Sequence, residues 1–323
     1  MPNFARFSRT GFVAIVLAAS MQAAMAWTDR PVRMLVPAPA GGVMDVIARV
    51  LADQLSADLG QPVVVDNKPG AGGGIAINAL LAAPPDGQTI LVTLTNVLTE
   101  VPQVMKVSFD PVKDVKPVAA VSKVTMVLVG STDLPAKDLP SLIRYVKANP
   151  GELTFASPSA GTVNHYAGLI MNQKAGMDLR HVPFAGSPPA LTQVIGRQVT
   201  VMYDNTVTSL PLIKSGKLRA YALAAKQRSP LLPTVPTFAE MGFPDIDFSN
   251  WGGAFVSAKV PDDVSQKIQT AVYKAASKPQ VQERLTTLGM ELVPARSLPE
   301  LSQALRTEFD RNASIVKTYH IHP

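Results

Sequence analysis

The sequence predicts an α/β protein built as two blocks, with the chain crossing between them twice. Three observations predict it. Short runs rich in Val, Leu and Ile alternate with helical patterns from residue 33 to 224, as parallel strands covered by helices on both faces require. The segment 229–244 then carries Pro230, Pro233, Pro236 and Pro244 with few helix signals, which reads as a surface crossing. Beyond it lies a tail of long amphipathic helices, too large to be a linker and expected to pack back on the first block.

The elements follow in order. A strand over 34–36 is stopped by Pro37 and Pro39. After Gly41 and Gly42, apolar residues at Val46, Ile47, Val50, Leu51, Leu55 and Leu59 give a helix over 45–59 with one buried face, closed by Gly60. A strand over 62–65, a glycine-rich turn at 70–74, a helix over 75–83 and a strand over 89–93 complete the first block. In the second, strands over 124–129, 153–156, 180–182, 199–203 and 219–224 alternate with helices over 139–147, 162–174, 189–195 and 210–215. The tail holds helices over 261–276, 279–288 and 299–316, each with proline at its first turn. Crossings near 120–126 and 224–236 make one lobe of 27–123 plus 228–323 and another of 124–227. Two connecting strands form a hinge, and hinged lobes suit clamping of a ligand.

Residues 1–26 read as an export signal. Arg6 and Arg9 precede an apolar core over 11–20, and Ala24-Met25-Ala26 supplies small residues at a cleavage site. The apolar run is too short to cross ~30 Å of hydrocarbon, which weighs against a membrane anchor. The mature chain would begin at Trp27 and reside in the periplasm. No cysteine is present, so a lipidated cysteine, a disulfide and a thiolate metal site are excluded. The roughly 297 remaining residues must be held by their core, and a chain of that size buries about 75% of its unfolded surface. No second apolar stretch reaches transmembrane length, so the mature chain is expected to be soluble. The net charge of +6 falls to +4 without the leader, which holds two arginines and no acid. Without basic runs or basic–aromatic interleaving, nucleic acid is not an expected partner.

Ligands of such folds sit at the carboxyl ends of parallel strands, and three loops there stand out. In the first, Ala40, Gly41, Gly42 and Val43 precede a helix whose free amides and positive dipole end suit an anion. Asp45 could cap that helix and fix the loop; the plain alternative is a glycine turn with nothing bound. The second, 66–74, lacks the third glycine of a dinucleotide fingerprint, where Ile75 stands, and the Gly-Lys-Ser/Thr of a P-loop. It reads as a flexible loop at the mouth of a cleft. In the third, Ser157, Ser159 and Thr162 flank Gly161 before a helix, and their hydroxyls could join backbone amides on an anion. Its plain alternative is a Ser/Thr capping cluster.

Other chemistry finds little support. His165 and His181 could approach each other, but no acid stands at ligand spacing beside them, so no metal is expected. His165 reads as a buried orienting residue, and His320 and His322 as solvated tail residues. There is no Gly-x-Ser-x-Gly elbow, no cysteine nucleophile and no His-Glu-x-x-His. Asp45 and Asp204 are the nearest thing to a facing acid pair, so an enzyme is not expected and no cofactor is called for.

Over nearly its whole mature length the chain resembles the substrate-binding receptors of tripartite tricarboxylate transporters, the Bug family. The resemblance is carried by VPAPAGGVMDVIARVLADQL, QPVVVDNKPGAGG, PPDGQTIL, FDPVKDVKPVA, ANPGELTFASPSAGTVNHYAG, HVPFAGSPPAL, GKLRAYALAAKQRSPLLPTVPTFAEMGFP and WGGAFVSAKVPDDV, in that order. It implies a two-lobe periplasmic binding-protein fold of type II, acting as a monomer that captures a small carboxylate for two membrane subunits of a transporter. A role beside a sensor kinase would need the same closing lobes. The resemblance further implies a carboxylate held between the first turn (Ala40, Gly41, Gly42, Val43) and the serine turn (Ser157, Ser159, Gly161, Thr162), with His165 nearby. Phe184, Ala185 and Gly186 stand at an aromatic–Lys–Gly turn of the family, and Asp204 at its strand-end acid. Three departures fall in this pocket: Ala38 stands between the prolines where an aromatic is common, Ala185 replaces a lysine, and the serine turn holds Pro158 and Ala160. Loss of the aromatic is expected to widen the pocket.

Overall fold

The computed structural model describes residues 27–319 and 321. Residues 1–26, expected to be an export signal with its cleavage site, and the tail residues His320 and His322 lie outside the described residues.

The chain runs β1 (Val32–Val36), α1 (Val43–Leu59), β2 (Val63–Asn67), a single 3-10 turn (Ala71–Gly73), α2 (Gly74–Ala82) and β3 (Thr89–Leu94). Two four-residue helices follow, α3 (Asn96–Thr99) and α4 (Val101–Val104), and then the 17-residue strand β4 (Val115–Ser131). The second block adds α5 (Leu139–Ala148), β5 (Thr154–Ser157), α6 (Val163–Ala175), β6 (Arg180–Pro183), α7 (Ser187–Ile195), β7 (Val201–Asn205), α8 (Thr206–Lys214) and β8 (Leu218–Ala224). The return comprises β9 (Ser249–Ser257), α9 (Asp262–Ala276), α10 (Pro279–Thr287), β10 (Glu291–Leu292) and α11 (Leu298–Thr318).

Strand order is β2-β1-β3-β9-β4-β7-β5-β6, with β8 and β10 also on β4. β1 pairs in parallel with β2 and β3, and β5 with β6 and β7. These are the strands whose alternation with helices is plainest in the sequence. β4, β8, β9 and β10 are antiparallel, which strand–helix alternation alone does not reveal. Both faces of the central strands are buried, while the edge strands β2 and β6 are half-buried or exposed. Met34 and Val36 enter one core and Leu35 another; in the second block Met126 and Leu128 face one core, Val127 and Val129 the other. This two-sided burial is why the strands read as continuous apolar runs.

β4 belongs to both blocks. From Val115 to Thr125 it pairs with β9, and from Met126 onward with β7 and β8. The first crossing therefore falls between Thr125 and Met126, within the span the sequence suggests. The second differs from expectation. The proline-rich segment stays on the second block: Leu232 and Val235 enter one of its cores, and Phe238, Ile246 and Phe248 the other. Leu223 donates to Pro236 O at 2.9 Å and accepts from the Phe238 N–H at 2.9 Å. Prolines punctuate the backbone there without lifting it off the core, and the chain returns only as β9 begins. α11 reaches across as well, with Leu301 and Leu305 in a first-block core and Ile315 and Val316 against a second-block one.

β9, which the sequence reading left unassigned, contains Gly252 and Gly253. A Cβ on Gly253 would lie 1.8 Å from Ala119 O, and one on Gly252 2.7 Å from Ile47 Cδ1. The pair is the condition for β4 and α1 to approach so closely. The tail helices begin largely as the sequence implies, with Pro279 and Pro299 in first turns; Pro261 instead stands at the N-cap position, just outside α9.

Candidate functional site

The first turn leads from β1 into α1. Gly41 has φ +82° and Gly42 is the N-cap residue, so Asp45 lies inside the helix and does not cap it. Its carboxylate does fix the loop: it accepts from the Gly41 N–H at 2.8 Å, Arg49 Nε at 2.9 Å and Asn67 Nδ2 at 2.9 Å. Burial works to raise the Asp45 pKa, yet bonds from Arg49, Gly41 and Asn67 hold it below the ordinary carboxylate value. Asp45 is 2% exposed, so it shapes the turn from beneath. Ala40 and Gly41 are exposed, and Gly42, Val43 and Met44 half-buried. The first intrahelical bond is Val46 N–H to Gly42 O. Among the described residues, the amides of Val43, Met44 and Asp45 have no acceptor in the chain. They are a helix-start donor set of the kind anions occupy.

The glycine loop at 70–74 is packed rather than loose. A Cβ on Gly72 would meet Val101 Cγ1 at 2.5 Å, and one on Gly73 would meet Val97 Cγ1 at 2.4 Å. The loop rests on the α3–α4 segment, which the sequence reading left unassigned.

The serine turn, between β5 and α6, is bonded largely to itself. Ser157 Oγ donates to Ser159 O at 2.8 Å, Thr162 Oγ1 to Ser159 O at 2.9 Å, and Ser159 Oγ to Ala160 O at 3.2 Å. All three hydroxyls expected to face an anion are thus turned to loop carbonyls. The Gly161 N–H donates to His165 Nδ1 at 3.3 Å, which leaves the ring proton of neutral His165 on Nε2. His181, on β6, lies 2.8 Å through Nε2 from Ser157 Oγ. The imidazoles of His165 and His181 stack at 3.8 Å, with no acid at hand. Burial lowers the His165 pKa to about 4, and burial together with the His165 charge lowers that of His181 to about 4. His165 is 5% exposed, with Nδ1 on the Gly161 amide.

The aromatic–Ala–Gly turn joins this assembly. The Phe184 N–H donates to Ser157 O at 3.1 Å and the Gly186 N–H to Pro158 O at 2.8 Å, while Ala185 is exposed. Asp204, fully buried at the end of β7, accepts from Ser187 at 2.5 Å, Thr208 at 2.6 Å and Ser209 at 2.6 Å. Burial raises its pKa against those three hydroxyls. It ties the starts of α7 and α8 to the sheet and faces no cleft.

Each turn is therefore assembled as a unit. Among the described residues no hydrogen bond joins 38–45 to 157–165. The blocks meet instead through residues the sequence reading missed. Glu100 Oε2 accepts from the Val163 N–H at 2.8 Å, and Tyr166 Oη donates to Glu100 O at 3.3 Å. Thr206 Oγ1 donates to Gly289 O at 3.1 Å, and Val207 packs on the first-block core that also carries Val43 and Met44. A lone acid in an apolar stretch usually signals a solvated face; Glu100 is 0% exposed, and only the pairing of the blocks reveals it.

Two α/β blocks sharing β4, with unpartnered amides at the start of α1, have the build of a two-lobed binding protein. The match to known proteins is specific. Residues 47–321 fit the model of the tripartite tricarboxylate transporter family receptor, and the chain belongs to that family. It is similar to BugT of Bordetella pertussis, at 32% identity over 309 residues, covering 95% of this chain and 94% of that protein. Among solved structures it is similar to MatC from Rhodopseudomonas palustris with bound malate, at 32% identity and TM-score 0.81, covering 89% of this chain and 99% of the other. An R. palustris protein with adipate gives 28% identity and TM-score 0.84, covering 92% and 100%.

Proposed function

We propose that the protein captures a small carboxylate-bearing solute in the periplasm and delivers it to the two membrane subunits of a tripartite transporter. The observation that carries the reading is the first turn: three unpartnered amides at the start of a 17-residue helix, their loop held by buried Asp45. One ligand carboxylate lies against Ala40, Gly41, Gly42 and Val43. The second block closes over it with the serine turn and with Phe184, Ala185 and Gly186, pivoting where β4 passes between the blocks and β9 begins. Asp45, His165 and Asp204 act as positioning residues. Family membership supports the transport role, and the malate and adipate of the two R. palustris proteins support the carboxylate.

A thermal-shift screen over small mono-, di- and tricarboxylates tests this. An acid at a hundred times its Kd stabilises the folded form by about 2.7 kcal/mol. A clear rise in Tm with one or a few acids is expected; no shift with any of them, alongside one with a non-acidic solute, would end the carboxylate reading.

A further inference from the structure

We propose that Glu100 is a built-in carboxyl group that fills the start of α6 and so restricts the cleft to solutes with a single carboxylate; this rests on the carboxylate reading above. A helix start is where a second ligand carboxylate would find donors in the second block. Here Glu100, reaching across from the first block, already accepts the Val163 N–H at 2.8 Å. Val104 reinforces the docking, because a Cβ on Gly161 would lie 2.3 Å from Val104 Cγ2. Three more donors of the turn are engaged: the Gly161 N–H on His165, and the Ser157 and Thr162 hydroxyls on Ser159 O. The Asn164 and His165 amides have no acceptor among the described residues, but a second carboxylate reaching them would lie beside the Glu100 carboxyl on Val163.

The polar groups nearby already act on the resident acids: the Asn250 side chain and the Arg311 charge work against burial to lower the Glu100 pKa. Glu308 lies behind Glu100, accepting from Thr95 Oγ1 at 2.7 Å and Thr99 Oγ1 at 3.1 Å, while Asn312 Nδ2 holds Thr99 Oγ1 at 3.2 Å. Glu100 Oε1 itself is buried without a partner among the described residues. Among the described residues Arg311 makes no hydrogen bond to either acid; its Nη2 donates to Asp247 O, its guanidinium lies 5.5 Å from the Phe248 ring centre, and it acts on Glu100 and Glu308 through its charge. Both stacked histidines are neutral near pH 7. Burial, chiefly, and the Glu308 charge push the Glu100 pKa up to about 8 against the Val163 bond. Protonated or ionised, Oε2 remains an acceptor, so the exclusion works through occupancy of the donor and not only through charge. A second ligand carboxylate would have to sit against the Glu100 carboxyl or displace it from Val163 and leave it buried without that donor, and either is costly.

Calorimetric titration with two acids of equal chain length, hexanoate and adipate, separates the possibilities. The unmodified protein should bind the monoacid at least tenfold more tightly than the diacid. Glu100→Gln, whose side-chain oxygen still accepts from Val163, should keep that ratio. Glu100→Ala, which frees the amide, should improve adipate relative to hexanoate by tenfold or more, and Glu100→Leu should do the same if the alanine variant folds poorly. Adipate binding as tightly as hexanoate in the unmodified protein, or a ratio unmoved by Glu100→Ala and Glu100→Leu, overturns the proposal and leaves carboxylate capture standing. Failure of the unmodified protein to bind any carboxylate overturns both.

Discussion

The first turn and the serine turn are built from similar parts and end differently. Each is a small-residue loop between a parallel strand and a long helix. In the first, a buried acid from within the helix holds the loop from beneath, through Gly41, and the helix-start amides are left to the outside. In the second, an acid from the other block takes a helix-start amide directly, and the hydroxyls bond the loop's own carbonyls. One carboxylate preorganises a site; the other occupies one. Counting serines, glycines and helix starts cannot distinguish the two, because the outcome depends on where the nearest acid enters.

The largest contrast should appear with pH. Glu100 has a folded pKa of about 8, raised above its unfolded value near 4.5. Its contribution to stability is therefore complete below pH 4.5 and is lost as pH rises to about 8. Glu100→Gln removes that loss, so from pH 4.5 to 8 the variant should gain on the unmodified protein by on the order of a few kcal/mol. The histidine pair runs oppositely: with folded values near 4 and unfolded values near 6.5, stability falls as pH drops from about 6.5 to about 4. The first turn contributes nothing in either window, since lowered Asp45 loses its contribution only as pH falls through a value below 3.8. Chemical denaturation at a series of pH values measures all three.

Glycine substitutions sharpen the contrast further. Gly161→Ala combines φ +73° with a Cβ 2.3 Å from Val104, and should cost about 2–4 kcal/mol in urea unfolding. Asp45→Ala should cost about 1–3 kcal/mol, from three donors left unpaired, and should weaken ligand binding more than tenfold. Gly41→Ala shares the positive φ but has nothing within 4 Å of the added Cβ, so only about 1–2 kcal/mol of backbone strain is expected. Thr162→Val should be smallest: its hydroxyl bonds Ser159 O, so about 1 kcal/mol of stability is lost while affinity changes less than threefold. A large loss of affinity from Thr162→Val with stability unchanged would make Thr162 a direct ligand donor and erase the distinction between the turns.

Much of this was legible in the sequence, and the rest fails for physical reasons. Period and punctuation sufficed for β1, α1, β5 and α6, because the two strands are largely buried on both faces and each helix has one apolar side. Gly41, Gly42 and Asp45 announced a shaped turn, though Asp45 was read as a cap. β9 went unread because Gly252 and Gly253 suggest a loop until the closeness of Ala119 O and Ile47 is known. The segment 229–244 was read as a crossing because its anchors, Leu232, Val235 and Phe238, follow no period. Glu100 and the contact of Ser157 with His181 depend on block docking and on the β5–β6 register, which local pattern does not encode.

The most direct measurement is a crystal structure with the tightest-binding acid in the cleft. A carboxylate oxygen should lie about 3.0 Å from the Val43 and Met44 nitrogens, as an N–H···O bond requires, with Glu100 still on the Val163 amide. A carboxylate seated on the amides of Val163 to His165, with Glu100 displaced, would contradict the assignment of the two turns.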